Sequence, residues 1–201
     1  MSVGRRGRLA TLADDAETCR SCPLWERATQ VVFGEGPSDA RIIAVGEQPG
    51  DQEDLEGRPF VGPAGRVFDD ALEEAGVDRD AVYVTNAVKH FKWEPRGKRR
   101  IHQKPNRTEV VACHQWIEAE LAALRSDAVV LALGATAGQS LVGPSFRVGA
   151  SRGVDLEVGP RKLVATIHPS AVLRSRDPVE RREQFEGLVA DVRRAGELAP
   201  W

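Results

Sequence analysis

Residues 98–103 read Lys98-Arg99-Arg100-Ile101-His102-Gln103, three consecutive cations followed two residues later by one imidazole. Cations hold phosphates by charge, and histidine is the side chain whose ordinary pKa lies nearest neutrality, so it can act as proton carrier or nucleophile. The chain as a whole carries a net charge of only -2, so this basicity is local. Arg96, Lys104 and Arg107 extend it. Taken alone, such a stretch also fits a solvated turn with an exposed histidine. What surrounds it decides between the two.

A second group is sulfur. The chain has three cysteines, Cys19, Cys22 and Cys113. An odd number argues against a disulfide framework, and Cys-x-x-Cys in a reducing compartment suggests a metal or a redox pair. A redox pair of the thioredoxin kind follows a strand and opens a helix, whereas Cys19 and Cys22 come after a short predicted helix and before any strand. Metal is therefore the better reading. Three thiolates leave a four-ligand site one short, and histidine is the commonest fourth ligand. His114 adjoins Cys113 on one predicted helix and is badly placed, while His90 follows a strand that should end near that helix. Cys19, Cys22, His90 and Cys113 are the expected ligands. The residues alone leave zinc and iron–sulfur both open, and Cys113 could also be a core thiol.

The elements that must position these residues are legible from periodicity. Arg41 to Gly46 is an apolar run ending in glycine, a buried strand. Val82 to Asn86, Ala128 to Leu133 and Leu163 to Ile167 read as three more. A helix starts near Ala64, buries Val67, Phe68, Ala71, Leu72 and Ala75, and stops at Gly76. Asn106 and Glu109 form a capping box for a helix ending near Leu124, with Val110, Cys113, Ile117, Leu121 and Leu124 inward. A last helix runs from near Pro178 to Arg194. Strands alternating with helices predict an α/β fold, three layers α/β/α around a mostly parallel four-stranded sheet. Working loops in such sheets follow the carboxyl ends of strands. Glu47 to Asp54, Asn86 with the basic stretch, and His168 all fall there, so three separate segments converge on one sheet edge.

Length and composition fit one soluble domain over 1–201, with residues 1–10 expected as a flexible segment. No apolar run reaches transmembrane length, and no apolar segment follows Arg5, Arg6 and Arg8, so neither a membrane span nor a secretory signal is expected. A cytoplasmic monomer is the expectation.

The motifs together carry a resemblance. Gly46-Glu47-Gln48-Pro49-Gly50-Asp51, Pro59 to Gly65, Val84-Thr85-Asn86 and His168-Pro169-Ser170-Ala171-Val172-Leu173-Arg174 resemble the uracil-DNA glycosylase superfamily, in particular its iron–sulfur, family 4-like branch. The stretch Lys98 to Gln103 resembles the UdgX type, whose members become covalently attached to uracil-containing DNA. The resemblance spans Cys19 to the last helix. It implies a uracil-DNA glycosylase fold and a 4Fe–4S cluster on Cys19, Cys22, His90 and Cys113, with His90 in place of the family's third cysteine. The cluster is then expected to pin both ends of the basic stretch.

The resemblance also implies roles. The partner is uracil-containing DNA, single- or double-stranded, and uracil is the product. The base must leave the stack to be reached. Phe60 would stack on it. Asn86, with donor and acceptor, would read its edge, and Gln48 with the backbone from Gly46 would complete the pocket. His168 would stabilise the uracil anion. His102 would capture the sugar at its anomeric carbon, assisted by Glu47, with Asp51 as second candidate. Lys98, Arg99, Arg100, Arg107, Ser170 and Arg174 would hold DNA. Two alternatives follow from the same residues. One is a family 4-like glycosylase that turns over with water. The other is a non-catalytic zinc module that binds nucleic acid. Gln52, Glu53 and Asp54 read as solvated loop residues.

Overall fold

The computed structural model describes residues 2–200, with the side chains of residues 2, 3 and 6 outside the description. Met1, part of the segment expected to be flexible, lies outside it too. From Ser2 onward that segment is drawn as the start of a helix, α1 (Ser2–Glu17), which packs on α4 (Arg107–Ala123).

Strands β1 (Ile42–Gly46), β2 (Val82–Asn86), β5 (Val129–Leu133), β6 (Leu156–Val158) and β7 (Arg161–Thr166) form one sheet in the order β2-β1-β5-β7-β6. The first four are parallel, and β6 adds an antiparallel edge to β7. The expected four-stranded sheet therefore has five strands. The missed strand has three residues, one of them charged, too short for alternation to register.

The parallel strands are apolar on both faces because both faces are covered. Ile42, Ala44, Val84, Leu131 and Val164 point toward α3 (Pro63–Ala75) and α8 (Pro178–Leu198). Ile43, Val45, Tyr83, Val130 and Ala165 point toward α4 and α5 (Ala135–Val142). The three layers follow from that alternation. Gly76 ends α3 in the left-handed conformation, φ 72°, as its position predicts. Asn106 and Glu109 form the predicted capping box of α4, at 2.9 and 2.7 Å.

The basic stretch is not an irregular loop. It is a β-hairpin of β3 (Trp93–Arg96) and β4 (Arg99–His102), with Trp93 opposite His102. Gly97 opens the turn at φ 61°, where a two-residue hairpin connection needs a left-handed residue. The short helices α2 (Asp51–Glu56) and α7 (Pro169–Arg174) occupy segments read as loop, and α6 (Val148–Ser151) adds a single turn.

A buried ion pair fixes the end of β2 against α4. Lys89 Nζ lies 2.5 Å from Glu120 Oε2, with the side chains 1% and 0% exposed. Glu120 also accepts from Tyr83 Oη (2.9 Å), Thr85 Oγ1 (2.9 Å) and the Gly34 N–H (3.1 Å). Lys89 donates onward to Thr85 Oγ1 and the Asn86 carbonyl. Removing one partner of such a pair strands a charge in low dielectric, costing about 3–5 kcal/mol. Lys89→Met is accordingly expected to lower the urea unfolding midpoint by an amount worth about 3 kcal/mol or more. A change under about 1 kcal/mol would show that the network is not a principal tie.

Candidate functional site

Three strand ends and the hairpin surround a pocket of about 640 Å³. The segment after β1 supplies Glu47 and Gln48, the end of β2 supplies Asn86, the segment after β7 supplies His168, and β4 supplies His102. Phe60, Ser170 and Arg174 complete the expected set within it.

Asn86 and Phe60 define the interior. Asn86 is 2% exposed, and its Nδ2 has no hydrogen-bond partner among the described residues. An unpaired buried donor lining a pocket is poised for a carbonyl acceptor. Its Oδ1 occupies the space over Gly46, where a Cβ would come within 2.3 Å. Gly46 thus serves by lacking a side chain. Phe60 alone among the described non-glycine residues has a positive φ, 59°. Such conformations concentrate at functional sites. Its carbonyl leaves no room for a Cβ at Gly65, and its ring leans on Phe68 at 5.6 Å.

The protonation of His168 follows from its neighbours. The Ser170 backbone N–H donates to His168 Nδ1 at 3.2 Å, so the neutral ring carries its proton on Nε2. Burial, with the Arg174 guanidinium and His102 nearby, pushes its pKa down to about 4. Arg174 Nη1 donates to Ser170 Oγ (2.7 Å), which lies 2.8 Å from His168 Nδ1. Ser170 and Arg174, expected against DNA, are in this structure a chain that orients His168.

His102 stands at the mouth, its side chain 50% exposed, with Nε2 3.6 Å from Glu47 Oε1. That distance is an electrostatic contact rather than a hydrogen bond. Burial holds the His102 pKa below the ordinary value; Glu47 opposes this and Arg174 adds to it. The ring is therefore neutral at pH 7. Glu47 in turn accepts from the Thr136 hydroxyl at the start of α5. Thr136 had no signature in the sequence.

The hairpin that carries His102 is fastened by the segment after β1. Arg100 Nε and Nη1 each lie 2.5 Å from carboxylate oxygens of Asp51 and Asp54, and Nη2 donates to the Asp51 carbonyl at 3.1 Å. The guanidinium also sits over the rings of Phe91 and Trp93, 5.4 and 5.5 Å from their centres. Gln48 closes the hairpin base, donating to the carbonyls of Lys92 and Gln103 and accepting from the Lys92 N–H. Four expectations change here. Arg100, expected to grip phosphate, spends four of its five N–H donors on Asp51, Asp54 and Thr29. Asp51 is engaged by Arg100 and lies outside the pocket lining. Gln48 lines the pocket but spends its amide on the hairpin. Asp54 is no solvated loop residue, being fully buried and also bonded to Thr29, and Glu53 is a buried cap of α2. Lys98, Arg99 and Arg107 are exposed, as a phosphate-binding surface requires.

The cysteines gather near the end of β2. Cys113 packs with Leu24, Val88, Cys22 and Trp116. Cys113 Sγ accepts from the Lys89 N–H and Cys19 Sγ from the Trp116 indole N–H, both at 3.2 Å. Burial pushes the Cys113 thiol up to about 11 and also raises Cys22, whose environment includes Cys19. Burial opposes ionisation of Cys19 as well, but Ser21, Trp116 and Arg20 outweigh it and lower its pKa. His90 is buried, 4% exposed, and its pKa falls to about 4, chiefly through burial and then Arg20, so the neutral ring has one nitrogen lone pair free for a metal. Among the described residues no three Cys, His, Asp or Glu side chains stand close enough to hold one metal ion. A multi-iron cluster presents separate binding points to sulfur and histidine, and N–H groups aimed at sulfur are part of how proteins tune such clusters.

Arg100→Ala should free the hairpin without unfolding the sheet. Amide exchange over residues 93–102 is expected to speed up by tenfold or more, an order of magnitude typical of local opening, while β1 and β5 stay protected. Unchanged exchange there would show that Gln48 alone suffices.

The family model for the uracil DNA glycosylase superfamily matches residues 33–193. The type-4 uracil-DNA glycosylase of Thermotoga maritima is 37% identical over 186 residues, covering 92% of this chain and 93% of that protein. Those of Archaeoglobus fulgidus and Pyrobaculum aerophilum are 35% and 34% identical, covering 90% and 83% of this chain and 88% and 85% of their own. With its strand-end pocket and a match of this extent, the chain belongs to the uracil DNA glycosylase superfamily.

Proposed function

We propose that this protein excises uracil from DNA and that His102 then bonds to the exposed sugar, ending the reaction after one turnover. The observation that carries the proposal is a neutral imidazole held on a fastened hairpin at the mouth of the Asn86–Phe60 pocket.

An extruded uracil would stack on Phe60 and meet the Asn86 amide, whose free Nδ2 can donate to a uracil carbonyl. As the bond from the sugar C1′ to uracil N1 lengthens, its electron pair stays with uracil and the sugar becomes oxocarbenium-like. Neutral His168 offers its Nε2 proton as a hydrogen bond to the growing uracil charge. A neutral ring nitrogen of His102 then gives its lone pair to C1′, forming a C–N bond. The ring becomes cationic and loses the proton on its other nitrogen. Glu47, held by Thr136, offsets that charge and can take the proton, while uracil departs as its anion, hydrogen-bonded to His168, and is protonated by solvent water after release. Imidazole bound through nitrogen is a poor leaving group, so the adduct persists. Lys98, Arg99, Lys104 and Arg107 would supply salt-dependent hold on the phosphates. Asp51 and Arg100 act by positioning the hairpin.

Cys19, Cys22, His90 and Cys113 would hold a 4Fe–4S cluster. It would supply a cross-link among the 19–22 segment, the end of β2 and α4, with no part in bond cleavage. Broad visible absorbance in the purified protein supports it; a colourless protein containing zinc would not.

The names of the relatives favour a second reading, turnover with water in place of His102. Uracil-containing oligonucleotide run on a denaturing gel separates the two. A protein–DNA band resistant to heat and detergent is expected, absent for His102→Ser although some uracil release continues. Abasic DNA without that band supports turnover. Because His102 must be neutral, adduct formation should be flat from pH 7 upward and fall only below about pH 6.5, the ordinary histidine value. An acid limb centred above it would contradict the assignment.

A further inference from the structure

A second cavity lies beside the first. The start of α4 and the body of α5 enclose a groove of about 460 Å³, walled by Pro105, Val110, Val111, His114 and Pro144. Val111 is 63% exposed. Lys104 and Arg107 stand on its rim, exposed and without an ion pair among the described residues. Thr136 borders both cavities, so the groove begins where the uracil pocket ends.

We infer that this groove receives the base of the nucleotide next to the extruded uridine in the same DNA strand, an inference that rests on the glycosylase reading. Three properties select that ligand. The walls are mostly apolar, with Gln139 and Ser140 among them, and an unstacked base has two apolar π-faces that such walls can cover. The rim carries unpaired cations, and the ligand must bring negative charge beside its apolar body. The groove adjoins the pocket through one residue, so one strand can fill both without leaving the surface. An apolar protein segment would match the walls and leave the cations unanswered. Lys104 and Arg107 thereby gain a more defined role than general attraction: they bracket the phosphates on either side of one base. The His114 ring, its side chain 37% exposed, offers a stacking face at the wall.

The test uses three oligonucleotides with one uracil: one complete, one lacking the base on the 5′ side of the uridine, one lacking that on the 3′ side. DNA affinity, read as the DNA concentration that half-saturates the single-turnover rate, and uracil release are measured for the wild-type protein and for the double variant Val111→Ser/His114→Ala, one position exposed and the other half-buried. The wild type is expected to bind one of the two truncated DNAs about tenfold more weakly, the scale of one stacked base. The variant should bind complete DNA with a similar loss and lose nothing more on truncation. A wild type indifferent to both neighbouring bases, or a variant with undiminished sensitivity to truncation, would overturn the inference. Uracil release by the wild type from all three DNAs keeps the glycosylase reading intact whatever the groove does. No release from any of them removes that reading, and this one with it.

Discussion

The guanidinium of Arg100 lies between two carboxylates of α2 and two aromatic rings beside the hairpin, and the position of His102 depends on it. A two-stranded hairpin is at best marginal by itself in water. β3 and β4 are largely exposed, contribute little apolar surface and belong to no larger sheet. Without a clamp, the imidazole at the end of β4 would sample many positions. Asp54 is fully buried and bonded to Thr29 as well, so the clamp is anchored in the body of the protein rather than on its surface. Gln48 repeats the same logic at the base of the hairpin, joining both of its ends to the loop after β1.

The segment Glu47 to Asp54 therefore does two things at once. Glu47 faces the pocket and meets His102 directly. Asp51 and Asp54 lie outside the pocket lining, Gln48 lies within it, and all three hold the hairpin that brings His102 there. Reactive group and partner are thus positioned by one stretch of eight residues, and an error in either would shift both. Behind it, the Lys89–Glu120 network fixes the end of β2, which bears Asn86 on one side and the cysteine cluster on the other. The pocket interior and its mouth rest on separate charge networks, each with one fully buried carboxylate, Glu120 and Asp54. Each is costly to break because removal of one member leaves a charge without a partner.

Much of this was legible in the sequence. The four parallel strands, the caps of α3 and α4 and the convergence of Glu47, Asn86, His102 and His168 on one edge follow from periodicity and motif order. What stayed hidden was the partner of each polar residue. Arg100 and Arg99 are neighbours of the same type, yet one is clamped inside and the other is exposed, and only the alternation of a β-strand separates them. The basic stretch read as loop because its strands are charged and lack apolar alternation. Asp54 looked solvated because nothing local reveals an arginine forty-six residues later. Glu120 did leave a trace: it falls on the inner face of α4 between Ile117 and Leu121, where a carboxylate demands a buried partner. Thr136 left none, since a threonine in the first turn of a helix is ordinary.

In the proposed reaction the clamped hairpin delivers the His102 ring to the sugar carbon that uracil leaves. Mass spectrometric mapping tests it most directly. The protein is incubated with uracil-containing DNA, digested with nuclease and protease, and the modified peptide is sequenced by fragmentation. A deoxyribose-bearing fragment attached at His102 and nowhere else is expected. Attachment at another residue, or recovery of the His102 peptide wholly unmodified after complete uracil release, would contradict it.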